Sequence, residues 1–269
     1  MSTESVSQAA ALLRGAAAHC VPCGPVRNIL GSRTDLGLAY AVQQVNTDLA
    51  IAAGRRVTGR KVGLTSLAVQ KQLGVDQPDY GTLFVDMCIA DGVDIEFGSL
   101  IAPRAEAEVA VVLEHDLDKG EHNIIDIINA IAYVIPAIEI VDSRIKDWDL
   151  SLVDTVADNA SSGLYVVGTQ PKSLRKLDLR SIEMQLHRNG VVESTGVGSA
   201  CLGNPLHAAL AVANVMSKQG TPLRAGECIM TGALGPVVPV VAGDHLHADM
   251  GELGSVSTRF AAAEHRTVR

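Results

Sequence analysis

Residues 103–116, PRAEAEVAVVLEHD, contain the pattern that most restricts how this chain can fold. Apolar residues dominate from Ala105 to Leu113, which predicts a β-strand, but Glu106 and Glu108 interrupt them at a spacing of two. In a strand that spacing puts both side chains on one face, with their Cα atoms roughly 7 Å apart. Two carboxylates on an apolar strand repel each other and are costly to bury, so we expect a positive charge to compensate them.

A third carboxylate indicates what that positive charge is. Glu139 lies in a second apolar run, VIPAIEIVD (134–142), and neither this run nor the apolar stretch around Glu106 and Glu108 contains Lys or Arg. Three carboxylates offer the oxygen ligands that Mg²⁺ or Mn²⁺ prefers, and they leave positions open for water and substrate. The alternative is that Glu106 and Glu108 face solvent on an edge strand, which their spacing alone leaves open.

Composition excludes several classes of protein. Hydrophobic residues make up 47% of the 269 residues and charged residues 19%, which is typical of a globular chain. The net charge of −8, with no cluster of Lys and Arg, argues against a nucleic-acid partner. No apolar run is long enough to cross a bilayer, and Glu4 and Arg14 do not fit a secretory signal. Five cysteines, an odd number, favour reduced thiols, and we expect a cytoplasmic protein without a membrane partner.

The order of patterns predicts an α+β fold in two parts. Residues 1–60 form a helical N-terminal region, in which Thr34 is a plausible N-cap and Gly54 can end the helix. Residues 61–269 form a β-rich core, and we expect the two parts to make one continuous domain.

Within the core, local signals predict several further elements. Thr65 begins a brief helix that ends at Leu73, and the turn-rich stretch VDQPDYGTL (75–83) is a loop. Residues 124–134 are expected to form a helix. Asn189–Gly190 is typical of a type I′ hairpin turn, and Asn204 with the following proline begins a helix.

Six blocks of sequence, taken in order, resemble one known family. They are GRKVGLTS (59–66), QPDYGTL (77–83), PRAEAEVAVVL (103–113), VIPAIEIVDSRIKDW (134–148), DTVADNASSG (154–163) and TGALGP (231–236). Together they resemble the 2-hydroxypenta-2,4-dienoate hydratases of the fumarylacetoacetate hydrolase superfamily. The resemblance runs from about Asp35 to Phe260, which is nearly the whole chain.

The resemblance implies a fold, a metal and a reaction. The fold is the superfamily's mixed β-sandwich or β-roll, and the matching positions Glu106, Glu108 and Glu139 would bind catalytic Mg²⁺ or Mn²⁺. The reaction belongs to meta-cleavage catabolism of aromatic compounds: a dienol acid is ketonised, and water then adds at C4 to give 4-hydroxy-2-oxopentanoate. The resemblance also implies a homo-oligomer, and its candidate partners are a pathway decarboxylase or aldolase.

Further residues match family active-site positions or offer suitable chemistry. Lys61 and Asp79 match positions expected to carry protons, although an edge-strand lysine can also serve only to prevent aggregation. Asp158, Asn159 and Ser161 could bind a carboxylate or an ordered water, or could make local hydrogen bonds within a loop. The stretch around Gly232 lacks the Lys of a phosphate loop and is expected to bring backbone amides to the substrate.

Some alternatives stay open at this point. A related 2-oxo acid decarboxylase would use the same metal site, and a non-catalytic partner of such an enzyme would look similar. Hydrolysis of an acylpyruvate is less favoured, because the N-terminal region offers no obvious His–Glu pair for water activation. Trp148 could cover the site or pack a loop, and Cys20 and Cys23 are interpreted as loop thiols.

Overall fold

The computed structural model describes residues 3–66, 70 and 77–261. The helices are α1 Thr3–His19, α2 Arg27–Leu30, α3 Leu36–Ala52, α4 Ile124–Ala130, α5 Leu152–Ala157 and α6 Pro205–Lys218. The strands are β1 Val57–Gly63, β2 Asp79–Phe84, β3 Cys88–Ala90, β4 Asp94–Glu96, β5 Arg104–Leu113, β6 Ile131–Val141, β7 Ser162–Val167, β8 Glu183–Arg188, β9 Val191–Val197, β10 Cys228–Ala233, β11 Val238–Pro239, β12 His245–Asp249 and β13 Ser255–Ala261. The brief helix predicted after Thr65 lies largely outside the described residues.

The strands form two mixed sheets. The larger sheet has the order β2-β1-β10-β5-β6-β7-β3, and the short β11 pairs with β5 beyond the end of β10. β1 runs parallel to β10 and antiparallel to β2, whereas β5 and β6 are antiparallel over ten residue pairs. The smaller sheet has the order β4-β13-β12-β8-β9. The long central strands β5 and β6 therefore place their side chains on both faces of a covered sheet.

The main core fills the space between the two sheets and under α6. It consists of branched aliphatic side chains such as Val109, Ile138 and Leu246, with Phe260 among the largest that are fully buried. A smaller cluster on the opposite face of the large sheet includes Leu83. Burial of this apolar surface is the main force that holds the sheets together.

The N-terminal helices form a third cluster with a distant part of the chain. Leu13 and Val42 pack with Ile145 and Val153, so α1 and α3 lie against α5 and the turn before it. Asp35, rather than the predicted Thr34, is the N-cap of α3, because its side chain accepts a hydrogen bond from the amide of Leu38 (3.1 Å).

Cysteine placement is consistent with the interpretation of loop thiols. All five cysteines are unpaired, and the backbone of Cys23 bridges to the segment before Trp148. Its amide donates to the carbonyl of Arg144 (2.8 Å), and its carbonyl accepts from the amide of Lys146 (2.9 Å). This bridge attaches the N-terminal region to the turn at residues 146–148.

Two sequence predictions in the core are wrong. The helix predicted for residues 124–134 ends at Ala130, since the β-branched run from Ile131 continues directly as β6 and pairs with β5. The predicted loop at residues 75–83 becomes strand β2 from Asp79 onward, because this stretch pairs with β1 and is buried along its whole length. Asp79 is therefore a buried strand residue and not part of a mobile loop.

Other predictions are confirmed. The hairpin between β8 and β9 turns at Asn189 and Gly190, which both have positive φ as a type I′ turn requires. Helix α6 has Asn204 as its N-cap and proline at its first turn. Within the described part of the chain, no helix is long and apolar enough to span a membrane.

Candidate active site

Three carboxylates converge on one face of the large sheet. Glu106 and Glu108 project from β5, and Glu139 projects from β6 directly opposite Glu106 in the strand register. One carboxylate oxygen from each residue lies within 4.8 Å of the others. Glu108 and Glu139 are fully buried, and Glu106 is half-buried. The predicted edge-strand alternative is therefore wrong, because β5 lies in the middle of the sheet with both faces covered.

Two of these carboxylates keep an oxygen without a hydrogen-bond partner. Glu108 Oε2 accepts from the amide of Gly232 (2.8 Å), but Glu108 Oε1 and Glu139 Oε2 are buried and unpaired. A buried, unpaired carboxylate oxygen is costly, and a divalent cation would satisfy both atoms. The three residues thus fit Mg²⁺ or Mn²⁺ by the number, type and position of their oxygens.

The same crowding changes the acidity of the three groups. Burial, followed by repulsion from Glu139, raises the pKa of Glu106 to about 7. Burial and the neighbouring carboxylates also raise the pKa of Glu108. For Glu139, burial outweighs the lowering effect of Lys61, so its pKa is raised as well. Without a cation the cluster therefore favours protonated carboxyls.

Lys61 is buried beside this cluster, on β1. Its Nζ lies 3.3 Å from Glu139 Oε1 and donates a hydrogen bond to the carbonyl of Ala160 (2.9 Å). Burial opposes the charged form of Lys61, but attraction by Glu139, Asp79 and the other carboxylates outweighs it, and the pKa of Lys61 is raised. Without a cation, these carboxylates therefore favour the ammonium form of Lys61.

Asp79 lies on the other side of Lys61, at the start of β2 opposite Gly63. Its Oδ2 accepts from Thr155 Oγ1 (3.4 Å), whereas its Oδ1 is buried and unpaired. Gly63 leaves the space into which Oδ1 projects: a Cβ there would lie 2.2 Å from Asp79 Oδ1 and 3.3 Å from Lys61 Nζ. Burial is the main cause that raises the pKa of Asp79.

The carbonyl that binds Lys61 belongs to an unusual turn. Asn159, Ala160 and Ser161 all have left-handed backbone conformations, with φ of 55°, 52° and 51°. Such conformations cost of order 1–3 kcal/mol each in residues other than glycine and persist only where the surroundings impose them. The side chain of Asn159 supplies part of that support, because its Oδ1 accepts from the Thr82 amide (2.7 Å) and its Nδ2 donates to the Thr82 carbonyl (2.9 Å).

The polar atoms of the residues predicted to bind substrate are already hydrogen-bonded within the protein. Asp158 is buried and accepts hydrogen bonds from Ser143 and from Arg144, and both polar atoms of the Asn159 amide are used by Thr82. Ser161 Oγ is buried between Asp158 and Thr155. These three side chains hold the turn in place around Lys61. The amide of Gly232, which was predicted to bind the substrate, donates to the Glu108 carboxylate.

Several neighbouring residues were not identified from the sequence. Ser162 donates to Glu139 Oε1 (3.4 Å), and Thr155 contacts Asp79. Tyr40 on α3 lies close enough to Asp79 that this carboxylate, after burial, contributes to raising the pKa of the tyrosine. On β5, Arg104 precedes the carboxylates on the same face, and its guanidinium carbon lies 4.1 Å from the centre of the Trp148 ring.

Comparison with known proteins identifies the family to which the chain belongs. Residues 57–261 match the family described as fumarylacetoacetate (FAA) hydrolase C-terminal. The chain belongs to the fumarylacetoacetate hydrolase family. The resemblance inferred from the sequence is confirmed, and the region that matches contains the three carboxylates together with Lys61 and Asp79.

Curated members of the family are similar over nearly the whole chain. The TodF product hydratase of Pseudomonas putida is 52% identical over 261 residues, which are 97% of each chain. The 2-keto-4-pentenoate hydratase 1 of Dechloromonas aromatica is 51% identical over 257 residues, covering 96% of this chain and 97% of the relative.

Solved structures of a 4-oxalocrotonate decarboxylase show the same fold. The 4-oxalocrotonate decarboxylase of Pseudomonas putida, in complex with magnesium and adipate, matches with a TM-score of 0.92 at 36% identity, covering 97% of this chain and 98% of that chain. A second structure of that decarboxylase contains calcium and acetate, with a TM-score of 0.90. The fold predicted from the sequence is therefore confirmed.

Proposed function

We propose that this protein is a divalent-metal-dependent hydratase that converts 2-hydroxypenta-2,4-dienoate, through its 2-oxo tautomer, to 4-hydroxy-2-oxopentanoate. One observation carries the proposal: a cluster of three carboxylates lies beside a buried ammonium, Lys61, and a carboxylate with a free oxygen, Asp79. The full-length relatives named as hydratases bear out the prediction of a hydro-lyase.

Glu106, Glu108 and Glu139 are the proposed metal ligands, with Mg²⁺ or Mn²⁺ as the expected ions. A cation held by these residues would supply positive charge to the site and would stabilise the negative charge that develops on the substrate during proton transfer. The amide of Gly232 donates a hydrogen bond to Glu108 Oε2 (2.8 Å) and so holds this carboxylate in position. The large sheet excludes water from the rear of the site, because β5 and β6 are covered on both faces.

Lys61 and Asp79 are proposed to handle the protons. Ligand carboxylates are poor proton donors, because a cation keeps them ionised. Lys61 holds a proton at Nζ and is oriented by the Ala160 carbonyl, so it can donate to the substrate as the dienol is ketonised. Asp79 Oδ1, the unpaired oxygen, is the candidate that accepts a proton from the water that adds to C4.

The proposal is tested by direct assay. Protein with Mg²⁺ is incubated with 2-hydroxypenta-2,4-dienoate, the loss of conjugated-diene absorbance is followed, and the product is identified by mass. We expect 4-hydroxy-2-oxopentanoate, no turnover after exhaustive chelation, and recovery when Mg²⁺ or Mn²⁺ is added back. Decay no faster than in buffer would contradict the proposal, and so would full activity in protein shown to be free of metal.

A second candidate activity is 2-oxo acid decarboxylation. It is favoured by the close structural match, at 36% identity, to a 4-oxalocrotonate decarboxylase. Release of CO₂ from 4-oxalocrotonate, faster than hydration of the dienoate, would favour this activity. A non-catalytic partner of a decarboxylase is less favoured, because a cluster of carboxylates kept with a buried Lys61 is costly for a protein that performs no chemistry.

Assembly and location are further parts of the proposal. We propose a homo-oligomer, since apolar side chains at Ile125, Ile128 and Val241 are exposed in the single chain (64%, 45% and 57%). A fully active monomer in sedimentation experiments would contradict it, and co-sedimentation would detect a complex with a pathway decarboxylase or aldolase.

The five unpaired cysteines support a cytoplasmic location.

We also propose that the helical region, residues 1–60, and the β-rich core, residues 61–269, fold as one continuous domain. The side chain of Gln43 supports this, because it donates to the carbonyls of Tyr80 (2.8 Å) and Val156 (2.9 Å) and so joins α3 to both β2 and α5. A single cooperative unfolding transition, detected equally by all probes, would test it.

A further inference from the structure

Arg104 is a positively charged residue that forms no direct ion pair with any described residue, although its charge acts on the nearby Glu106 carboxylate and lowers the pKa of that group, against the larger effect of burial. It is half-buried at the start of β5, and its guanidinium has no ion pair and no hydrogen bond within the described part of the chain. The guanidinium stacks on the face of the Trp148 ring, with 4.1 Å between the guanidinium carbon and the ring centre. Stacking fixes the plane of a guanidinium but uses none of its five N–H donors, which stay available for another group.

The turn that carries Trp148 is built to hold the ring in one place. The indole Nε1 donates to the carbonyl of Ala102 (3.1 Å), two residues before Arg104. Asp147 and Trp148 both have left-handed backbone conformations, with φ of 58° and 55°. The backbone hydrogen bonds between Cys23 and residues 144–146 hold the start of this turn in place. Strain maintained in this way next to a candidate active site is typical of a functional constraint.

Register places Arg104 at the border of the carboxylate cluster. Arg104, Glu106 and Glu108 occupy alternate positions of β5, so their side chains leave the same face of the sheet. Arg104 lies opposite Val141 in β6, two residue pairs along the ladder from the Glu106–Glu139 pair. A small acid bound at the cluster would therefore have the guanidinium within reach at one end.

We propose that Arg104 binds the carboxylate of the 2-oxo acid substrate, and that Trp148 is the positioning residue that holds the guanidinium for it. The inference rests on the proposed function, because it takes a 2-oxo acid as the ligand. A guanidinium presents parallel N–H donors that match a carboxylate, and its fixed plane lowers the entropy lost on binding. Arg104 would thereby select acids over neutral 2-oxo compounds of the same shape.

The test measures binding without turnover. Protein loaded with Mn²⁺ is titrated with pyruvate, or with its neutral analogue pyruvamide, and binding is followed by the relaxation of water protons. In the wild type we expect pyruvate to bind more tightly. In Arg104→Gln we expect the affinity for pyruvate to fall about 10–100-fold, as for a lost hydrogen bond to a charged group, while that for pyruvamide changes little.

Further variants separate this role from others. Arg104→Lys should keep part of the preference for pyruvate, and Trp148→Phe should keep more of it than Trp148→Ala. Arg55→Gln is the matched control, because the Arg55 guanidinium also stacks on a ring, Phe84, at 4.1 Å but outside the cluster. We expect no change in pyruvate binding for this control, and circular dichroism checks that each variant is folded.

The results also distinguish Arg104 as a substrate ligand from Arg104 as a neutraliser of the cluster. If Arg104 only neutralises the cluster, Arg104→Gln should change the affinity for Mn²⁺ itself, or should weaken the binding of pyruvate and pyruvamide equally. Either result, with the preference for pyruvate over pyruvamide unchanged, would overturn the inference. Failure of the proposed function is seen separately: the wild type would then bind pyruvate with the expected preference but would not hydrate the dienoate.

Discussion

Lys61 Nζ lies 3.3 Å from Glu139 Oε1, and their side chains are only 4% and 0% exposed. Glu139 is thus shared between a permanent ammonium on β1 and the carboxylate cluster on β5 and β6. One ammonium cannot balance four ionised carboxylates, so the Glu cluster and Asp79 retain protons unless a divalent cation compensates their charge. The following predictions depend on this imbalance.

Replacement of Lys61 should affect both stability and catalysis. Removing one partner of a buried ion pair leaves the other uncompensated, so Lys61→Met should destabilise the metal-free protein by about 3–5 kcal/mol. Its kcat should fall on the order of 10²-fold or more, whereas metal affinity should not weaken, because the variant removes a positive charge beside the proposed ligand Glu139. Lys119→Met is a matched control, because the Lys119–Asp126 pair has the same 3.3 Å separation but is exposed. We expect the control to change stability by less than about 1 kcal/mol in denaturant titrations.

Metal binding should depend on pH in a defined direction. The pKa of Glu106 is raised from 4.5 to about 7, so the folded metal-free protein keeps a proton that the unfolded chain releases. The metal-free protein should therefore lose stability as pH rises from 4.5 to about 7. A cation needs the ionised carboxylates, so the rise in Tm on adding Mg²⁺ should be larger at about pH 8 than at about pH 6. An equal rise in Tm at both pH values, measured by scanning calorimetry, would refute this prediction.

Replacement of Asp79 should separate the two half-reactions. Asp79→Asn removes the charge of the unpaired oxygen but keeps the shape of the side chain, so water addition should slow more than exchange of solvent deuterium into C5. Exchange requires only the proton transfer assigned to Lys61. Asp86→Asn, which affects an exposed ion pair with Arg55, should change neither rate. Equal slowing of both rates in Asp79→Asn, by NMR, would assign Asp79 to ketonisation.

A methyl group at Gly63 should disturb the site without touching the metal ligands. The added Cβ would lie 2.2 Å from Asp79 Oδ1, so Gly63→Ala should displace Asp79 and reduce kcat sharply. Gly15→Ala is the matched control: Gly15 lies in α1 with no atom near the added Cβ, so the change should be neutral or slightly stabilising. Isothermal titration with Mn²⁺ should give similar affinities for both variants, and a lost metal site in Gly63→Ala alone would contradict the prediction.

Much of the site could be predicted from the sequence, because its signals are local. The alternation around Glu106 and Glu108 gives a strand with two carboxylates on one face, and Glu139 has the same setting. Their meeting could not be derived from the pattern alone, since it depends on β5 and β6 pairing so that Glu106 lies opposite Glu139. Pairing partners and register are set by the whole sheet and are not encoded in either strand by itself.

The other differences between the predicted and the observed elements also arise from pairing with distant parts of the chain. Pro78 and Gly81 are turn signals, but pairing with β1 made a strand of the residues from Asp79 onward. The run at Ile131 fits helix and strand equally well by periodicity, and tertiary pairing decided it. The carbonyl of Ala160 and the hydroxyl of Thr155 enter the site through a strained turn and a short helix, for which short sequence patterns give no signal.

The cluster that joins α1 and α3 to residues 145–157 has a consequence for the order in which the protein is made. Val42 leaves the ribosome more than a hundred residues before Val156, at roughly 5–20 residues per second. For several seconds the apolar surface that α1 and α3 later pack against residues 145–157 therefore has no native partner, and we expect a chaperone to bind it. Nascent chains stalled before residue 145 should bind such a chaperone, and chains stalled well beyond residue 157 should release it.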